Sequence, residues 1–130
     1  MAKILVIDDE ESIRSLLDTL LVRKGYEVVT ASNGRKGLEF FRREHPDAVV
    51  LDLKMPEMDG LMVLKEIRSL DQKLPVIILT GAGTPEAEQE AHALGVTEFV
   101  EKEFSLHHLG DSLKRHLNTP ARAIANSHGL

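Results

Sequence analysis

The sequence has 130 residues, 42% of them hydrophobic, which suits one globular domain with one core and excludes two large domains. Its 16 Lys and Arg against 21 Asp and Glu give a net charge of −5, the wrong sign for a domain that grips nucleic acid directly. The absence of cysteine excludes disulfides, thiolate zinc sites and cysteine nucleophiles, and it fits a reducing, cytoplasmic setting.

Met1-Ala2-Lys3 leads into Ile4-Leu5-Val6-Ile7, an apolar run too short for a signal-peptide core and bounded by charge, which reads as a strand buried on both faces. Ile13, Leu16, Leu17, Leu20 and Leu21 then recur at helical spacing, and Gly25 supplies a stop. Glu27–Ala31 reads as a second strand, and Leu38, Phe40 and Phe41 as a short helix closed by His45-Pro46. A third strand spans Ala48–Leu53. Leu61, Leu64, Ile67 and Leu70 mark the next helix, and Pro75 resets the chain for a fourth strand, Val76–Leu79.

Thr84-Pro85 places a capping hydroxyl and a helix-initiating proline before a helix over Glu86–Leu94, which Gly95 ends. Its apolar stripe, Ala87, Ala91 and Leu94, is thin. Phe99-Val100 is a minimal fifth strand, and Ser105 starts a last helix with Leu106, Leu109, Leu113 and Leu117 directed inward. Residues 119–130 have no sustained pattern and read as a tail or linker stub after a domain over 1–118. No run approaches the roughly 20 apolar residues of a membrane span. Five strand–helix alternations with doubly buried strands imply an α/β fold, a doubly wound (βα)5 parallel sheet with helices on both faces and ligand chemistry beyond the carboxyl ends of the strands.

Polar residues collect at those ends. The first strand closes on Asp8-Asp9, the third on Asp52, the fourth on Thr80 and the fifth runs to Lys102. Asp8, Asp9 and Asp52 meet if the first and third strands are neighbours, as in the flavodoxin-like order 2-1-3-4-5. Converging carboxylates repel one another and are relieved by a hard divalent cation, for which magnesium is the natural candidate; a hydroxyl and a lysine beside them would complete a clamp on a phosphoryl group. Taken alone, Asp8-Asp9 would more often be a helix cap, and Met55-Pro56-Glu57-Met58-Asp59-Gly60 a turn into a helix. Gly81-Ala82-Gly83 lacks the third glycine and the first-strand position of a dinucleotide loop.

Together, Asp8-Asp9, Asp52 with Met55-Pro56 and Asp59-Gly60, Thr80-Gly81-Ala82 and Lys102 resemble the receiver domain of two-component response regulators, over residues 3 to about 118. The resemblance implies that Asp52 accepts a phosphoryl group from a sensor histidine kinase or phosphotransfer protein. It also implies that Asp9, Asp52 and the backbone carbonyl of Lys54 hold Mg2+, with Asp8 acting mostly through a bound water. Lys102 would pair with Asp52 and then with the phosphoryl oxygens, Thr80 would donate to them, and Phe99 would be the switch aromatic. Signalling would pass through the fourth helix, fifth strand and fifth helix to a downstream effector protein or domain, with scope for a phosphorylation-dependent dimer. Beyond accepting and slowly hydrolysing the phosphoryl group, no enzymatic turnover is implied.

Glu103 stands where the family has proline after the lysine. A cis bond without proline costs about 2.5–4 kcal/mol, so a trans Lys102–Glu103 bond is expected. Two rival readings remain at this level. One is a magnesium-dependent phosphohydrolase with Asp52 as nucleophile, as in haloacid-dehalogenase-like phosphatases, which Lys54 disfavours because those enzymes carry an aspartate two positions after the nucleophile as acid and base. The other is a receiver-shaped interaction module that takes no phosphate.

Overall fold

A computed structural model of the chain describes residues 1–101 and 105–117. The elements run β1 (Lys3–Ile7), α1 (Glu11–Arg23), β2 (Glu27–Ala31), α2 (Gly34–Glu44), β3 (Ala48–Leu51), α3 (Gly60–Leu70), β4 (Val76–Thr80), α4 (Pro85–Ala93), β5 (Glu98–Glu101) and α5 (Ser105–Leu117). The strands form one parallel sheet in the order β2-β1-β3-β4-β5, with β2 and β5 at its edges. The doubly wound α/β fold and the 2-1-3-4-5 order are therefore as the sequence implies. The expected tail over 119–130 lies outside the described residues.

Alternation along each strand divides the core in two, because successive side chains leave opposite faces. Leu5, Ile7, Val49, Leu51 and Ile78 pack against Leu38 and Phe41 of α2, Val63, Leu64 and Ile67 of α3, and Ala91 of α4. On the other face Ile4, Val6, Val50, Ile77 and Leu79 meet Leu17 and Leu21 of α1 and Leu109, Leu113 and Leu117 of α5. With both faces covered, each strand must be apolar throughout.

The helix boundaries follow local chemistry. Asn33, Asp59 and Thr84 each accept a backbone N–H at the start of α2, α3 and α4, from Lys36, Met62 and Ala87 respectively. Gly25 and Gly95 end the turns after α1 and α4 with φ of 95° and 93°, a conformation that costs glycine nothing.

Three expectations shift. Leu16 is 43% exposed and Leu70 58% exposed. Leu16 lies about 100° around the helix from Leu17 and so outside the sheet-facing stripe, while Leu70 is the last residue of α3 and Val63 occupies the inner position instead. The third strand stops at Leu51 rather than Leu53: the Asp52 carboxylate accepts the Leu53 N–H at 2.8 Å and Gly60 N–H bonds Leu53 O at 2.7 Å, which turns the chain out of the ladder. No helix among the described residues is long and apolar enough to cross a membrane.

Candidate functional site

The site is built on the register of the two central strands. Ile7 pairs with Leu51, and Asp52 N–H bonds Ile7 O at 2.9 Å, so the residues that follow these strands emerge side by side at the carboxyl rim. Asp8 and Asp52 are buried there, 2% and 5% exposed, and Thr80, closing β4, is fully buried. Asp8, Glu10 and Asp52 each present a carboxylate oxygen, and these oxygens all lie within 4.8 Å of one another. A shallow depression over them is lined by Asp9, Glu10, Asp52, Lys54, Thr80 and Ala82, among others.

The surrounding backbone fixes these groups. Asp8 Oδ1 accepts the Glu10 N–H at 2.9 Å, and Arg14 Nη1 donates to the Asp8 carbonyl at 2.7 Å, tying α1 to the loop before it. Thr80 Oγ1 accepts the Ala82 N–H at 3.1 Å, which fixes the hydroxyl at the mouth of the depression. Asp8 and Asp9 do not cap α1, because the N-cap position belongs to Glu10. Pro56–Gly60 is a true turn: Met58 N–H bonds Pro56 O at 2.7 Å across Glu57, whose φ is 67°. The donor set is hard oxygen on anionic groups, which suits magnesium rather than a soft transition metal.

A family model for the response regulator receiver domain matches residues 4–114. The chain belongs to that family. As a receiver domain it is 37% identical over 115 residues to sporulation initiation phosphotransferase F of Bacillus subtilis, covering 88% of this chain and 93% of that protein. It is 41% identical over 115 residues to the regulatory protein AtoC of Escherichia coli, covering 88% of this chain but 25% of AtoC. Against the ycf27 regulator of Guillardia theta the match covers 49% of that protein, so the chain spans a quarter to half of these longer relatives. Among solved structures, the response regulator TrrA of Thermotoga maritima in complex with Mg2+-BeF has a TM-score of 0.82 and 37% identity, covering 89% of this chain and 99% of that one.

Asp8, Asp9, Asp52, Lys54 and Thr80 thus gather at one rim of the receiver domain. Phe99 lies apart from them. Half-buried on β5 opposite Ile78, its ring packs under the β4–α4 loop, where a Cβ on Gly83 would stand 2.9 Å from it. Lys102 and Glu103, and with them the expected trans bond, lie outside the described residues. Sequence reasoning passed over Glu10. The available signal was its place: glutamate is a poor N-cap compared with Ser, Thr, Asp or Asn, and Glu10 occupies that position directly after Asp8-Asp9.

Proposed function

We propose that this receiver domain is a phosphorylation switch in which Asp52 accepts a phosphoryl group from the phosphohistidine of a sensor kinase or phosphotransfer protein. The observation that carries this reading is the convergence of Asp8, Asp52 and Glu10 carboxylates within 4.8 Å at the carboxyl rim of the sheet, beside a fully buried Thr80. An Asp52 carboxylate oxygen forms the new bond to phosphorus while the phosphorus–nitrogen bond to the donor histidine breaks. The electron pair leaves with the imidazole, which takes up a proton, and an acyl phosphate remains on Asp52.

Asp9, Asp52 and the Lys54 backbone carbonyl would hold magnesium directly, and Asp8 would hold it through water. When bound, the ion neutralises charge on the phosphoryl oxygens. The Thr80 hydroxyl turns to donate to a phosphoryl oxygen, and Lys102 pairs with the same group. Movement of Thr80 frees the Phe99 ring to turn inward and re-forms the surface of α4, β5 and α5, which an effector protein or domain reads in the cytoplasm. The domain signals by contact and is not an enzyme of multiple turnover.

Incubation with acetyl phosphate and magnesium should add one phosphoryl group to the intact mass, and Asp52→Asn should take up none. Label retained in that variant would rule out Asp52 as the acceptor.

A further inference from the structure

We propose that Glu10 belongs to the cation site, accepting hydrogen bonds from magnesium-bound water; the inference rests on the reading of Asp52 as a magnesium-dependent phosphoacceptor. Glu10 occupies the N-cap of α1 with extended backbone, φ −90° and ψ 115°, yet its side chain does not cap the helix. Its carboxylate is instead grouped with those of Asp8 and Asp52, within 4.8 Å of both. A magnesium ion takes only one or two protein carboxylates directly and keeps several of its waters. Carboxylate oxygens this close together can therefore face one hydrated ion from the same side, Asp52 as a ligand and Asp8 and Glu10 through its waters. Asp9 lines the same depression but is outside this close set.

Exposure divides the roles. Asp8 and Asp52 are buried, whereas Glu10 is exposed at the solvent side of the depression. A carboxylate at the solvent side is less desolvated than buried ones, so Glu10 adds attraction to the ion at a smaller desolvation cost than its neighbours carry. Partners beyond the direct ligands alter metal affinity about 10- to 100-fold, and Glu10 is expected at the lower end of that range because it faces water.

The test compares Glu10→Gln with Glu11→Gln. Glu11 is the next residue, also acidic and in the first turn of α1, but it is not in the carboxylate group. The two variants lose the same charge near the same helix end, so the metal-free melting temperature reads the helix contribution and a calorimetric magnesium titration reads the site. Glu10→Gln should raise the magnesium Kd about tenfold while Glu11→Gln leaves it unchanged. Equal effects of the two variants, or a wild-type Kd in Glu10→Gln, would overturn the inference and leave Asp52 as acceptor intact. A wild-type protein that neither binds magnesium nor takes label from acetyl phosphate would overturn the underlying site as well.

Discussion

Gly110 sits inside α5 and Gly60 at the first position of α3, so helix propensity alone favours alanine at both, by about 0.5–1 kcal/mol inside a helix and by less at its start. The surroundings predict opposite signs. A Cβ on Gly60 would lie 2.3 Å from the Asp52 carbonyl oxygen and 2.9 Å from the Leu53 Cα, both backbone atoms of the loop that follows β3. Ordinary carbon–oxygen contacts begin near about 3.3 Å, so the loop and α3 must separate by about 1 Å. Overpacking of this kind costs about 1–3 kcal/mol, and with no side chain to swing aside the upper half of that range applies, leaving a net loss of about 2 kcal/mol. For a chain of this length that is a fall in Tm of about 6–10 °C.

A Cβ on Gly110 would instead meet the end of the Lys24 side chain, Cε at 2.9 Å and Nζ at 3.2 Å. Lys24 is exposed and can rotate away, so the helix gain survives as a rise of about 2–4 °C. Thermal and urea unfolding followed by circular dichroism measure both, and acetyl phosphate labelling should slow only in Gly60→Ala. A Gly60→Ala protein as stable as wild type, or a Gly110→Ala protein destabilised to the same extent, would refute the reasoning.

Magnesium at 100 times its Kd should stabilise the protein by about 2.7 kcal/mol, most of it lost in Asp9→Ala; a melting temperature indifferent to magnesium in the wild type contradicts the site. Glu57, at φ 67°, carries about 1–2 kcal/mol of left-handed strain against about 0.5–1 kcal/mol of extra chain entropy for glycine, so Glu57→Gly should gain about 0.5–1 kcal/mol in urea unfolding, and a loss would show that its side chain matters more than its backbone. Burial alone would push the Glu98 carboxyl up, but the Ser112 hydroxyl, the Arg115 guanidinium and His116 hold it below the usual 4.5. A depressed carboxyl stabilises the fold above that value and loses its contribution as pH falls through the lower folded pKa. Arg115→Ala should therefore be less stable at pH 7 and lose less stability on acidification, a difference that pH-dependent melting would detect and whose absence would argue against the pairing.

The strands, helix order and most rim residues were legible because they depend on local features: unbroken β-branched runs, the Asn33, Asp59 and Thr84 caps, and glycines at turns. Which face each strand residue takes was not legible. Ile4 and Leu5 are equally apolar but belong to different halves of the core, and only the pleat separates them. Leu16 and Leu70 fit the helical template yet face water, since periodicity fixes the stripe's direction but not its width or where a helix outruns the sheet. Glu10 was missed for a related reason: its grouping with Asp52 depends on how the first loop folds back over the rim, and chain spacing does not encode that.

The sheet's two edges constrain how such a domain can associate. β2 and β5 each leave one row of backbone donors and acceptors outside the ladder, an invitation to a strand from another molecule. Both are short, five and four residues, and carry charge: Glu27 opens β2, and Glu98 and Glu101 bracket β5. An incoming strand would have to cover Glu27 and Glu101 for few hydrogen bonds in return, the Glu98 carboxylate being already turned to Ser112 and Arg115 of α5. Edge-to-edge growth into fibrous assemblies is thereby discouraged, and association is left to the helix and loop surfaces.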